Sequence, residues 1–359
     1  MVLAMALLMV VPFAPAPETQ AARKKPAAKS VQTKVEKNSF LTPDFAYPRT
    51  VDKNARAEYA AAMRNGDGLD ALRAAIQLTI TGNLVNRDSV EQSIEMLDEM
   101  SARLASPWKE LSALVEAQLF AEIYRNSSWE FDSRKLPLEP YPANVEEWSG
   151  DQFAVRIRQL VSHASSHSAE LSQMPLADIR GLLQDAGDAV NAGMTVQDFI
   201  DYKGVDILEN LGFDNNEPLR FGNKTGLPSP KDQCRTLRNQ LLESAIARNE
   251  SKANGCLGAF FSKMNLDRIS YAPARTTYLD ACYEKYGDTK WGAPFVADYC
   301  RKLQNPENGK QLGRSESNAA RRQSLTILED YLKKYPTAPD SYSLKMMVSQ
   351  LLSQNVAYN

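Results

Sequence analysis

The chain has 359 residues, 43% of them hydrophobic and 24% charged, with 42 lysines and arginines against 44 aspartates and glutamates. That is a globular composition, long enough for two or three domains or one continuous helical array, and it excludes disorder as the default state. A formal charge of −2 gives no global field for drawing in nucleic acid or anionic lipid, so nucleic-acid binding is disfavoured.

Residues 1–21 read as a secretory signal peptide: an apolar run from Val2 to Val11, then prolines, then Thr19 and Ala21 as the small residues before a cleavage point. The run is too short to span a bilayer, lacks a basic start, and no cysteine follows it to accept a lipid. Residues 22–46 form a basic, flexible leader and then an extended segment; Pro43 within it and Pro48 just past it are expected to block helix. Residues 47–212 are predicted to be a first helical subdomain. Its first helix is expected over 54–65, stopping at Gly66-Asp67-Gly68. Three stripes at helical spacing follow: Leu69, Leu72, Ile76 and Ile80; Val90, Ile94, Leu97 and Leu104, ended by Pro107; and Trp108, Leu111, Val115, Leu119 and Ile123. Each stripe needs a neighbour to cover it, and antiparallel partners joined by short turns provide one.

Residues 126–142 break the pattern into a proline-rich excursion carrying Trp129, Phe131 and Tyr141. At 146–161 a helix starts again. With Ser149 as N-cap, Gln152 completes a capping box, Trp148 and Phe153 form the hydrophobic staple, and Asp151 meets the positive end of the helix dipole. Two short helices are expected in PLADIRGLLQDAGDAV and TVQDFIDYKGVDILENLG. Residues 213–232, rich in turn formers, are assigned to a loop or boundary, and 233–354 to a second, cysteine-containing helical subdomain. Its helices are placed at about 231–249, 274–287 and 293–303. They are followed by a stripe of Leu325, Leu328, Leu332 and Tyr335 that Pro336 stops, and by a last helix capped by Asp340 or Ser341. Residues 355–359 are read as the start of a linker to a downstream region. The predicted fold is all-α, an irregular tetratricopeptide-like array of helical hairpins with long proline-rich loops; no strict 34-residue period and no long strand-like alternation is present.

Residues able to do chemistry are few. Ser149 lacks the second glycine and the preceding strand of a nucleophile elbow, so its role is read as a cap. His163 and His167 are the only histidines. At i and i+4, with Glu170 a turn further, they are the one geometrically possible metal set, but alanine stands where the zinc-protease motif carries its general base. Capping or solvated histidines are the favoured reading, and a histidine-dependent metal hydrolase is a distant alternative. Cys234, Cys256, Cys282 and Cys300 form an even set without a CxxC pair. In an oxidising compartment they are candidates for two disulfides, with three pairings open; buried free thiols are the other reading. Trp129, Phe131, Tyr141, Trp148, Trp291 and Phe295 fit a glycan or peptide groove, though more often such residues anchor cores and loops. No phosphate-cradling loop is present, and neither a cofactor nor an enzymatic activity is expected.

The segments YPRTVDK, LRAAIQLT, PLEPYPANVEEWSGDQFAVRIRQLV, MPLADIRGLL, TVQDFIDYKGVDIL and ILEDYLKKYPTAPDS resemble, in order, the helical amino-terminal region of the large alpha-2-macroglobulin-like proteins of Bacteroidetes-type bacteria. The resemblance rests on helix-packing patterns, not catalytic motifs. It implies an exported protein of the periplasm or cell envelope of a Gram-negative bacterium, acting in endopeptidase inhibition as a non-catalytic scaffold or docking region. It also implies that bait, thioester and β-sandwich domains lie outside this chain. The implied partners are those downstream domains and, beyond them, proteases or other envelope proteins. The family's thioester sequence is not found around any of the four cysteines. A tetratricopeptide-type envelope protein binding glycans or peptides is the alternative function.

Overall fold

The computed structural model describes residues 48–85, 89–183, 190–212, 228–252, 254–306 and 311–356. The predicted signal peptide, the leader at 22–46 and most of the predicted loop at 213–232 lie outside the described residues. The chain divides into two compact units, Met1–Leu211 and Gly212–Asn359. The fold is all-α: among the described residues there are helices and no strands, and one isolated bridge pairs Pro175 with Thr195.

The first unit contains α1 (Pro48–Asn65), α2 (Gly68–Val85), α3 (Ser89–Arg103), α4 (Trp108–Asn126), the short α5 (Ser128–Ser133), α6 (Gly150–Ala164), α7 (Ser168–Leu171) and α8 (Val196–Glu209). Two 3₁₀ turns, Val145–Glu147 and Leu176–Leu182, lie between them. Pro48 begins α1 instead of blocking it. In the first turn the missing N–H has no helical partner to lose, and the fixed φ of proline already suits the helix. The α1–α2 hairpin turns at Gly66, whose φ of 71° is open to glycine at little cost, and Asp67 Oδ1 accepts the backbone N–H of Asp70 at 3.1 Å. Part of the predicted loop at 126–142 is also helical, as α5.

Packing in this unit centres on α4. It lies against α3, α6 and α8, and also touches α2 and α5, so residues on every side of it, from Glu110 to Glu122 and Tyr124, are buried. Enclosed on several sides, α4 buries much more than its predicted stripe, polar positions such as Glu110, Ser112, Glu116, Gln118 and Glu122 included. The polar residues that α4 carries must therefore find partners inside the protein.

The second unit contains α9 (Pro230–Ser251), α10 (Gly255–Arg268), α11 (Ala272–Tyr286), α12 (Ala293–Gln304), α13 (Arg314–Lys334) and α14 (Ser341–Val356). Each packs on the next, and α12 also meets α14. The predicted loop ends earlier than expected: Ser229 caps α9 in a capping box with Asp232, and proline occupies the first turn. α10 is an addition to the expected helices. Its two glycines obscure a helical pattern in the sequence, but Asn254 caps it at Leu257 N and Leu257, Phe261 and Leu266 bury one side.

Candidate functional site

The chemically suggestive stretch around Ser149 is the start of α6. Ser149 Oγ accepts the N–H of Gln152 at 3.3 Å, and the N–H of Ser149 donates to Gln152 Oε1 at 2.9 Å. Trp148 and Phe153 meet at 5.4 Å between ring centroids, the contact of a hydrophobic staple. The free amide of Gln152 donates to the carbonyl of Pro137 at 2.9 Å, so the cap also holds the preceding loop. Gly150 lies directly under the Asp132 carboxylate, which accepts the Tyr124 hydroxyl at 2.9 and 3.0 Å. A Cβ at Gly150 would overlap Asp132 Oδ1. Phe120, Tyr124, Phe131, Trp148 and Phe153 fill the space between α4, α5 and α6. Serine, glutamine and aspartate here are engaged in shaping a helix end.

A second polar group lies deeper, and sequence periodicity did not single it out. Glu110, Glu116 and Glu122 on α4 are spaced by six residues, a rotation of roughly 240° per step at 3.6 residues per turn, so they leave the helix in three directions. Glu116 is fully buried. Arg156 of α6 donates to its Oε1 at 2.6 Å and to Asp98 of α3 at 3.1 Å, and the guanidinium sits 5.9 Å from the Phe120 ring centre. Burial pushes the Glu116 carboxyl up to about 7, against the opposing pull of Arg156. Burial also disfavours the Arg156 cation, yet Glu116 and Asp98 together hold it above its ordinary value. Glu122 accepts from Gln118 at 2.8 Å and pairs with Arg125.

Glu110, also fully buried, has His167 Nδ1 2.8 Å from its Oε1 and Lys109 Nζ at 3.6 Å. This separates the two histidines. His163 is in the last turn of α6, which ends at Ala164, and His167 precedes the new helix α7. The i, i+4 spacing therefore does not stay on one helix. His167 Nδ1 also lies 2.9 Å from Ser166 Oγ, while His163 and Glu170 are exposed. Among the described residues no group of three or more His, Cys, Asp or Glu side chains is placed to hold a metal ion.

All four cysteines stand as free thiols; Cys234, Cys282 and Cys300 are buried and Cys256 is partly so. Cys282 packs with Leu279, Tyr286 and Phe295, and Cys300 belongs to a separate core cluster with Val296, Leu328 and Leu344. Burial pushes the thiols of Cys256, Cys282 and Cys300 up to about 11, which leaves little thiolate for nucleophilic or redox chemistry. The six aromatic residues that fit a groove are divided between the two units. Phe131, Trp148 and Phe295 are core residues, Tyr141 and Trp291 are partly buried, and Trp129 is 78% exposed. No helix among the described residues is long and apolar enough to cross a membrane. No protein-family model matches the chain, and no curated protein or solved structure matches it.

Proposed function

We propose that the chain is a non-catalytic helical scaffold. The observation that carries this reading is the use made of its buried charge. Glu116 is fully enclosed and bound through Arg156 to a third helix, so a carboxyl whose acidity burial strongly weakens is engaged in joining helices. Ser149 is engaged in a cap and the thiols of three cysteines are held largely protonated, which supports the same view. By its resemblance to the helical front of bacterial alpha-2-macroglobulin-like proteins, the scaffold is an exported docking region, in the periplasm or cell envelope, for domains that inhibit endopeptidases. The tetratricopeptide-type binding protein is the second reading, favoured by the exposed Trp129.

The experiment is an immunoblot of fractionated cells with an antibody against this chain. A polypeptide far heavier than 39.9 kDa in the envelope or periplasmic fraction supports the docking region. A species of the chain's own mass there favours the second reading, and one confined to the cytosol refutes export and both readings with it.

A further inference from the structure

Among the described residues, the first unit leaves three large apolar side chains out in solvent, all between 129 and 138: Trp129 at 78% exposure, Leu136 at 40% and Leu138 at 44%. Their segment is pinned from behind. Arg134 donates to the carbonyl of Trp148 at 3.1 Å, Gln152 to that of Pro137 at 2.9 Å, and the Trp148 indole to that of Pro142 at 2.9 Å. Apolar side chains presented on a fixed segment, here the short α5 and the loop after it, have little ordering entropy left to lose on contact, which is the form of a binding surface. The charge beside them is acidic on balance: Glu139, Glu146 and Glu147 are exposed, against Lys135, while Arg125 and Arg134 are paired with Glu122 and Glu130. That sign repels an anionic membrane and fits a cationic segment with apolar residues.

The chain itself contains such a segment. From Arg23 to Lys37 it carries six lysines and arginines against one acid, Glu36, and Phe40, Leu41 and Phe45 follow. The topology brings its point of attachment to the right end of the unit. α1 and α3 run parallel, since Arg56 reaches Gln92 at 3.2 Å and Tyr59 the carbonyl of Met96 at 3.1 Å. α3 and α4 run antiparallel, since Ser101 meets the carbonyl of Lys109 at 3.4 Å while Asp98 and Glu116 share Arg156. The start of α1 and the end of α4, where the Trp129 segment leaves, therefore lie at the same end. Two helix spacings, roughly 20 Å, separate them laterally. The seven residue steps from Leu41 to Pro48 span up to about 23 Å, enough to cross.

We infer that the Trp129–Leu138 face is the docking surface for this chain's own amino-terminal segment, with Phe40 and Leu41 set on Trp129, Leu136 and Leu138 and the basic run lying along Glu139, Glu146 and Glu147. The apolar contact supplies the adhesion, and the charges set direction and register.

Two measurements on the full chain test this. Zero-length carbodiimide coupling followed by peptide mass spectrometry of the monomer band should join lysines among 24–37 to Glu139, Glu146 or Glu147, and less so at high salt. Hydroxyl-radical footprinting should oxidise Trp129 several-fold more slowly in the wild type than in a Phe40→Ser/Leu41→Ser variant, while Trp291 reacts alike in both as an internal reference. Equal oxidation of Trp129 in the two proteins, or couplings found only between different chains, would overturn the inference.

Discussion

Replacing Glu116 by glutamine keeps the side chain's shape and removes its charge. The folded protein raises this carboxyl from 4.5 to about 7 because burial penalises the anion more than Arg156 rewards it. A group whose acidity is weakened by folding stabilises the fold fully below its unfolded value and loses that contribution as pH rises through the folded one. Glu116 in the wild type therefore gives up stability between pH 4.5 and 7. At about 1.4 kcal/mol per unit, a shift of this size is on the order of 3 kcal/mol. Glutamine cannot ionise. Chemical unfolding of wild type and Glu116→Gln, followed across pH 4 to 8, should show the variant gaining relative to the wild type by about 3 kcal/mol from the acid to the alkaline end. A stability difference that is independent of pH, or one that moves the other way, would refute the placement of an ionisable carboxyl in a desolvated site.

Other substitutions probe the same interior. Arg156→Ala leaves Glu116 buried without its cation and should cost about 3–5 kcal/mol at pH 8; at pH 5, where the carboxyl is protonated, the loss should shrink, and denaturant titrations at the two pH values compare them. Ser149→Ala removes the α6 cap at a cost of about 1 kcal/mol, and Gly150→Ala forces Asp132 aside at a cost of about 1–3 kcal/mol; calorimetric melting should show both, and an unchanged melt for the glycine variant would contradict the close approach of Asp132. Native Cys256, Cys282 and Cys300, held near 11, should react with iodoacetamide at pH 8 about a hundredfold more slowly than an ordinary thiol. Mass spectrometry of the labelled protein reads this, and fast labelling of Cys282 or Cys300 would show that their clusters open.

The parts of this fold that were legible in the sequence are those fixed by near neighbours along the chain. The cap at Ser149 needs only residues 148–153, and the stripes of α3 and α4 follow from helical spacing, although α3 ends at Arg103 and Pro107 stands at the start of α4. The hidden parts depend on contacts between distant segments. Nothing in the sequence near Glu116 indicates that α3 and α6 will meet beside it, or that Arg156, forty positions later, will be its partner. His163 and His167 mislead for a related reason: spacing gives one shared face only while the helix continues, and this helix stops at Ala164. Pro48 shows the same ambiguity, since proline both ends helices and begins them, and position within the turn decides. A helix as glycine-rich as α10 is recognisable only through the core residues it buries.

In the first unit, buried charge binds helices together, Arg156 of α6 holding Glu116 of α4 and Asp98 of α3. A double-mutant cycle at pH 8, built from Glu116→Gln, Arg156→Met and the double variant and read by equilibrium unfolding, measures it directly. A favourable coupling of about 1–3 kcal/mol between the two sites is predicted. Additive effects within about 0.5 kcal/mol would show that the pair holds nothing and contradict the account.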